Sequence, residues 1–380
     1  MATKRSILWV VLVIFPPLAA IVCGQSGPKK GQQLDPMAFV RVRADGQGFV
    51  RGEDNRPFVP WGFNYDHDSG GELLESYWHD QWDAIVEDFL EMKAMGANVA
   101  RVHLQFGAFF PEPDRPNEAN VQQLRKLIRL AEETDVLLDI TGLGCYLKED
   151  VPEWYDALDR NARWAAQARF WRLIASVCAE SPGVFCYDLM NEPVVPGARR
   201  RNDWLGPPFA GKYHFVQFIA LETGGKPRAE IARLWTQSLV RAIRELDRHH
   251  LITVGLVPWS LPRPGLTSGF DPAVVGRELD FLAVHMYPRK GRLDEAVETL
   301  KGFAEAKRPV IVEELFPLRC GIDEAAEFVL RSRGIASGWI SFYWGKTIEE
   351  LEREKTLQAA VTAAWLKRFR ELREQVGVPD

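Results

Sequence analysis

The sequence is poor in cysteine, carries little net charge and lacks the motifs of several common enzyme classes. Five cysteines in 380 residues are too few for a disulfide-stapled scaffold, and a chain of this length buries a large core without staples. The formal net charge of −5 gives no electrostatic footprint for nucleic acid or for an anionic membrane surface. Histidine and aspartate do not cluster at metal-ligand spacing, and neither a nucleotide-binding glycine loop nor a nucleophile-elbow serine is present. We therefore expect neither a metal nor an organic cofactor.

The N-terminus has the pattern of an export signal. Two basic residues precede the apolar run Ile7–Phe15, and small residues follow it. Such a run is too short to span a bilayer comfortably, so we predict a signal peptide over residues 1–24, with lipid attachment at Cys23 as an alternative. A polar linker over residues 25–38 follows. The protein is expected to be a secreted, periplasmic or cell-envelope monomer.

Short apolar segments then alternate with amphipathic segments. The predicted strands are Phe58–Asn64, Ala97–Val102, Val136–Ile140, Val184–Met190, Leu251–Leu256, Phe281–Val284, Val310–Val312 and Gly338–Tyr343. The predicted helices are Asp80–Met95, Asn117–Glu133, Asn161–Ala179, Arg228–Asp247, Pro272–Arg277, Leu293–Ala306, Ile322–Arg333 and Glu349–Glu374.

Continuous apolar strands alternating with amphipathic helices indicate a parallel sheet covered by helices, and eight such units can close into a barrel. We predict an α/β fold, a (β/α)8 TIM barrel that forms a single domain over residues 39–380. A small N-terminal β-hairpin is expected at Phe39–Arg43 and Gly48–Arg51. A doubly wound open sheet is the alternative, but the first predicted strand lacks the glycine-rich turn that this fold uses.

Two predicted strands end in carboxylates. The segment Cys186–Pro193 stops at Asn191-Glu192, and the segment Pro309–Phe316 carries Glu313-Glu314. In an eight-fold barrel the strand C-termini form one mouth, where polar residues are catalytic candidates. A pair of carboxyl groups can hydrolyse an acetal, because one protonates the leaving oxygen while the other attacks the anomeric carbon.

These strand ends, taken in order, resemble glycoside hydrolase family 5 of the cellulase superfamily, which comprises retaining (β/α)8 glycosidases. The resemblance runs from about Phe58 to Trp344 and rests on Arg101, Asn191-Glu192-Pro193, His285-Met286-Tyr287, Glu314 and Trp344. It implies that Glu192 is the acid/base and that Glu314 is the nucleophile. The residues predicted to bind substrate or to support the pair are Asn191, Arg101, His285, Tyr287, Trp344, Asn64, Trp259 and His103.

The resemblance also implies individual roles. Asn191 would bond the sugar 2-hydroxyl, Arg101 would keep Glu314 ionised, and Tyr287 would donate a hydrogen bond to the same carboxylate. His285 would orient the acid/base.

Adjacent strand residues face opposite ways, so only one of Glu313 and Glu314 is expected to point into the mouth. The family spacing favours Glu314, and Glu313 would contact a neighbouring strand or helix. The long insertion Val194–Lys226 is expected to shape the aglycone side of the cleft.

We therefore predict a cellulase- or mannanase-like β-glycoside hydrolase, endo-β-glycanase-like, acting on an oligo- or polysaccharide by double displacement. The alternatives are a non-catalytic carbohydrate-binding barrel and an exo-acting β-glycosidase or transglycosylase. Retention requires the two carboxyl groups about 5 Å apart, whereas a separation beyond about 6.5 Å favours inversion. The sequence leaves the sugar and the linkage open.

Overall fold

The structure is a computed structural model that describes residues 38–68, 70–209 and 211–379. The predicted signal peptide, Cys23 and nearly all of the predicted linker lie outside the described residues. In the part of the chain that the structure describes, no helix is long and apolar enough to cross a membrane.

The strands are short and the helices are distributed between them. The strands are β1 (Val40–Val42), β2 (Phe49–Arg51), β3 (Arg56–Phe58), β4 (Trp61–Asn64), β5 (Val99–Gln105), β6 (Leu137–Gly144), β7 (Val184–Asn191), β8 (Pro193–Val194), β9 (Gln217–Phe218), β10 (Leu251–Leu256), β11 (Leu282–His285), β12 (Val310–Leu315) and β13 (Trp339–Ser341). The helices are α1 (Leu74–Tyr77), α2 (Trp82–Ala94), α3 (Phe106–Phe109), α4 (Glu118–Thr134), α5 (Glu153–Asp156), α6 (Arg160–Cys178), α7 (Arg228–Arg244), α8 (Pro272–Val275), α9 (Leu293–Ala304), α10 (Ile322–Ser332), α11 (Ile348–Arg353) and α12 (Leu357–Val376). Two short 3-10 helices cover Lys148–Asp150 and Pro258–Ser260.

Parallel strands close into a barrel in the order β4-β5-β6-β7-β10-β11-β12-β13, and β13 pairs back onto β4. Every residue of β5, β6 and β7 is buried, because helices cover the outer face while side chains fill the interior. This arrangement explains why the barrel strands read as continuous apolar runs. The TIM-barrel prediction is confirmed.

A small antiparallel sheet packs against the barrel. The strand β2 pairs with both β1 and β3, so the predicted hairpin is present and gains a third strand. Phe58, which we had placed at the start of the first barrel strand, belongs to β3. The ring of Phe49 contacts Phe185 and Phe281, at ring-centroid distances of 5.5 and 5.3 Å, and these residues lie at the N-terminal ends of barrel strands. The sheet therefore covers the end of the barrel opposite the mouth.

The same end holds a buried polar cluster. Tyr187 donates a hydrogen bond to Asp247 (2.6 Å), and His250 Nδ1 lies 2.5 Å from the same carboxylate oxygen. His250 Nε2 lies 2.8 Å from the carbonyl oxygen of Ser181. Burial would raise the pKa of Asp247, but His250, Tyr187 and the backbone N–H of His249 lower it to about 2. These contacts indicate a structural role for His250, at the end of the barrel opposite the mouth.

None of the cysteines in the described part of the chain forms a disulfide bond. The thiols of Cys145, Cys178, Cys186 and Cys320 are free, and the first three are buried. Cys178 at the end of α6 and Cys186 on β7 are therefore not bonded to each other.

Candidate active site

Glu192 stands where β7 ends. Its φ of 44° lies in the left-handed region, which few residues other than glycine adopt, and the chain turns there before Pro193. The backbone N–H of Glu192 donates to the carbonyl oxygen of Gly255 on β10 (3.1 Å). The turn is thus held by the neighbouring strand, and the Glu192 side chain is 18% exposed at the mouth.

Glu314 stands near the end of β12 and is held at both carboxylate oxygens. Oε1 accepts a hydrogen bond from Arg101 Nη1 (2.7 Å), and Oε2 accepts one from the Tyr287 hydroxyl (2.6 Å). The two hydrogen bonds fix the orientation of the carboxylate at the mouth.

The two glutamates lie close together. One carboxylate oxygen of Glu192 and one of Glu314 lie within 4.8 Å of each other and of a ring nitrogen of His285. This upper bound on the distance between the two oxygens is compatible with the spacing of about 5 Å that retaining glycosidases use.

Arg101 organises the floor of the site. It is fully buried on β5, and besides Glu314 it donates to Asp188 Oδ2 (2.7 Å), Asn64 Oδ1 (2.9 Å) and Asn191 Oδ1 (3.0 Å). Asn64 is fully buried and Asn191 is 3% exposed. The guanidinium therefore ties the ends of three other barrel strands, β4, β7 and β12, to β5.

His285 lies between the carboxylates. Its Nδ1 is 3.0 Å from Glu192 Oε1 and 3.5 Å from Glu314 Oε1, and its Nε2 is 3.2 Å from Glu313 Oε2. Burial and the nearby Arg101 would lower the pKa of His285, but the three glutamates raise it to about 10. The ring is therefore an imidazolium at neutral pH, with an N–H on each side.

Glu313 also points into the barrel, so the expectation that adjacent residues face opposite ways is wrong here. Its Oε2 lies 3.4 Å from Arg101 Nη2, and the side chain is fully buried. The pairing register shifts between Val312 and Leu315 on β12, as a β-bulge does. A bulge breaks the two-residue alternation, which is why both glutamates approach Arg101.

The family model for cellulase (glycosyl hydrolase family 5) matches residues 62–315. The chain belongs to glycoside hydrolase family 5. It is a β-glycoside hydrolase, and the resemblance read from the strand ends is confirmed. No curated protein matches the sequence.

Solved structures share the fold of this family 5 enzyme. The exo-β-1,4-mannosidase from Opitutaceae bacterium strain TAV5 has a TM-score of 0.64 at 16% identity, over 89% of this chain and 63% of that chain. This enzyme thus spans less than two thirds of that mannosidase. A GH5_18 protein from Bifidobacterium longum subsp. longum, in complex with Manβ1-4GlcNAc, has a TM-score of 0.61 at 16% identity, over 83% of this chain and 78% of that chain. The endo-1,4-β-mannanase from Rhizomucor miehei has a TM-score of 0.61 at 15% identity, over 88% of this chain and all of that chain.

Two other predicted substrate contacts lie near the mouth. Trp259, in the 3-10 helix after β10, is 37% exposed, which leaves its indole face available for stacking. His103 is 2% exposed, and its Nδ1 lies 2.5 Å from the Tyr146 hydroxyl. Burial and the charge of Arg101 hold the pKa of His103 well below its usual value.

Trp344 lies in the core, where we had predicted a substrate contact. It is 1% exposed, and its indole N–H donates to Asp88 on α2 (2.9 Å). The half-buried rings after β13 that reach the mouth are Phe342 and Tyr343, whose centroids lie 6.4 and 4.2 Å from that of His67. Sequence reasoning missed these two because the exact end of β13 decides which ring turns inward.

Asp66 was also missed. Successive side chains alternate here between the barrel interior and the surrounding helices. Asn64 points inward to Arg101, and the Tyr65 hydroxyl donates outward to Asp88 on α2, so Asp66 points inward again. Asp66 is 1% exposed and burial raises its pKa. Both its carboxylate oxygens, and Nε2 of His103, are buried without a hydrogen-bonding partner among the described residues. Continuing the alternation two residues past the strand would have found Asp66.

The insertion Val194–Lys226 crosses part of the mouth. The Tyr213 hydroxyl donates a hydrogen bond to the carbonyl oxygen of Gly71, in the loop after β4 (2.5 Å). The backbone N–H of His214 donates one to the carbonyl oxygen of Tyr146, in the loop after β6 (2.8 Å). We call this connection the bridge. It joins the loops of the first and third barrel strands, whereas we had expected the insertion to shape the aglycone side.

Proposed function

We propose that this family 5 enzyme is a retaining β-mannosidase that removes sugars from the non-reducing end of a β-1,4-linked chain. Glu314 attacks the anomeric carbon while Glu192 protonates the departing glycosidic oxygen, which gives a covalent glycosyl–Glu314 ester. Water then attacks that carbon, Glu192 takes its proton, and Glu314 leaves as a carboxylate. One oxygen of each carboxylate lies within 4.8 Å of the other, which supports this double displacement.

The bridge is the observation that carries the proposal of exo action. An endo-acting enzyme needs a cleft open at both ends, whereas the contacts of Tyr213 with Gly71 and of His214 with Tyr146 connect loops across one side. In a double displacement the aglycone departs and water enters on the same side. We therefore place the glycone on the side that the bridge crosses, where it would be a terminal sugar.

The choice of sugar is supported more indirectly. The solved structures reported above include an exo-β-1,4-mannosidase, an endo-1,4-β-mannanase and a complex with Manβ1-4GlcNAc. We propose a β-mannosyl glycone on this basis, and a β-glucosyl glycone is the outcome that the experiment separates from it.

The signal pattern over residues 1–24 supports a further proposal, that the enzyme acts outside the cytoplasm.

The test is hydrolysis of β-1,4-mannopentaose reduced at its reducing end, with the cellopentaose equivalent alongside. We expect mannose and successively shorter alditols, together with a β-anomer as the first product by NMR. Unreduced fragments of two or more sugars would mean endo action, and an α-anomer would mean inversion. The variants Glu192→Gln and Glu314→Gln should both lose activity; if they keep it, the assignment of the pair is wrong.

A further inference from the structure

We propose that Glu313 is a positioning residue that supports the acid/base Glu192 through His285. The inference rests on the proposed roles of Glu192 and Glu314. It assigns a function to a buried carboxylate that the double displacement does not itself use.

The contacts of His285 form a relay from Glu313 to Glu192. Nδ1 lies 3.0 Å from Glu192 Oε1 and Nε2 lies 3.2 Å from Glu313 Oε2, so the ring can donate an N–H to each carboxylate only when both nitrogens are protonated. The charged groups that face the ring are Glu192, Glu313, Glu314 and Arg101. Before the first step Glu192 carries the proton that it donates, so the two anions Glu313 and Glu314 face the single cation Arg101, and they favour the imidazolium.

Burying the carboxylate of Glu313 lowers the stability of the fold. It is fully buried, Oε2 is shared between His285 and Arg101, and Oε1 has no hydrogen-bonding partner among the described residues. A buried carboxylate with an unsatisfied oxygen costs stability, and such groups in native proteins call for an explanation. Donation from His285 Nε2 is the contact that leads from this carboxylate to the acid/base Glu192.

The imidazolium assists the proton transfer without giving up its own protons. As Glu192 protonates the leaving oxygen, it becomes a carboxylate that still accepts the His285 Nδ1–H. In the second step Glu192 takes a proton from water, and His285 again keeps both of its protons. Glu313 fixes the Nε2–H and the ring orientation, so that the Nδ1–H stays aimed at Glu192 throughout.

Leaving-group dependence tests this role. A 2,4-dinitrophenolate departs without protonation, whereas a phenolate needs the acid. We expect Glu313→Gln to lower kcat/KM for phenyl β-mannoside about 10- to 100-fold, and for the 2,4-dinitrophenyl β-mannoside less than about 3-fold. Glu313→Asp keeps the carboxylate and should lose less than about 5-fold on either substrate.

The matched control is Asp188→Asn. Asp188 is as buried as Glu313 and accepts a hydrogen bond from Arg101 (2.7 Å), but it does not contact His285. Its replacement should slow both substrates alike, since Arg101 also holds the nucleophile. Equal losses on both substrates for Glu313→Gln would overturn the proposal.

Two further measurements separate this inference from the proposed function. The variant Glu192→Gln should show the same leaving-group pattern, and combining it with Glu313→Gln should add little further loss on the phenyl substrate, because both act on one proton. In 15N-histidine spectra the His285 titration should move down by at least about one pH unit in Glu313→Gln. Additive losses in the double variant, or an unchanged His285 titration, would overturn the role of Glu313. Hydrolysis of the mannopentaose alditol that persists in Glu192→Gln and in Glu314→Gln would instead overturn the proposed function.

Discussion

Replacing Tyr287 by phenylalanine should slow the second chemical step more than the first. The Tyr287 hydroxyl donates to Glu314 Oε2 at 2.6 Å, while Arg101 holds Oε1 at 2.7 Å, so the variant keeps one of the two contacts. Glu314 loses negative charge as it attacks the sugar and regains it as it leaves. The hydrogen bond therefore strengthens toward the transition state of the second step.

The expected magnitude follows from the charge on the acceptor. A hydrogen bond to a charged group contributes about 1.5–3 kcal/mol, and each 1.4 kcal/mol is tenfold in rate, so kcat should fall about 10- to 150-fold when the second step is limiting. The effect on kcat/KM should be smaller. With 2,4-dinitrophenyl β-mannoside, the glycosyl–Glu314 ester should accumulate and be visible in the intact mass.

Tyr187→Phe is the matched control. It also removes a 2.6 Å hydrogen bond from a buried tyrosine to a carboxylate, that of Asp247, but at the opposite end of the barrel. It should cost stability and leave kcat within about 2-fold of the wild type. If Tyr287→Phe lowers kcat/KM more than kcat, or if the ester does not accumulate, the assignment of Tyr287 to the departing carboxylate is wrong.

Three more predictions concern stability, catalysis and substrate binding. Asp247→Asn should destabilise the protein by about 2–3 kcal/mol at pH 7, since folding lowers the pKa of Asp247 from 3.8 to about 2. The carboxylate of Asp247 contributes fully to the free energy of unfolding above its unfolded pKa, and this contribution is lost as the pH falls toward 2. Urea unfolding should therefore show a smaller difference in free energy between wild type and Asp247→Asn at pH 2 than at pH 7. An equal difference at the two pH values would contradict this pH dependence. Arg101→Lys should lower kcat/KM at least about 100-fold, because lysine lacks the planar fork that serves four acceptors, and near-normal kinetics would refute this. Trp259→Ala should raise KM about 10-fold for a mannopentaose but not for an aryl mannoside, and equal changes would place this indole away from the longer chain.

Much of the site could be read from the strand ends. Arg101, Glu192, His285 and Glu314 each follow or close an apolar run, and a parallel barrel brings such ends to one mouth. The prediction failed where local alternation was interrupted. Glu313 turned inward because β12 carries a bulge, which depends on pairing with strands distant in the sequence.

The sequence by itself determined the strand–helix repeat and the chemistry of the residues at the strand ends, because periodicity and residue type are local properties of the chain. Only the tertiary structure decided which rings lie at the mouth, since Trp344 packs onto α2 while Phe342 and Tyr343 reach the mouth. It also decided that Tyr213 reaches Gly71, 142 positions away in the sequence. Contacts of this kind depend on how strands register and where loops meet, and a one-residue shift in register changes them all.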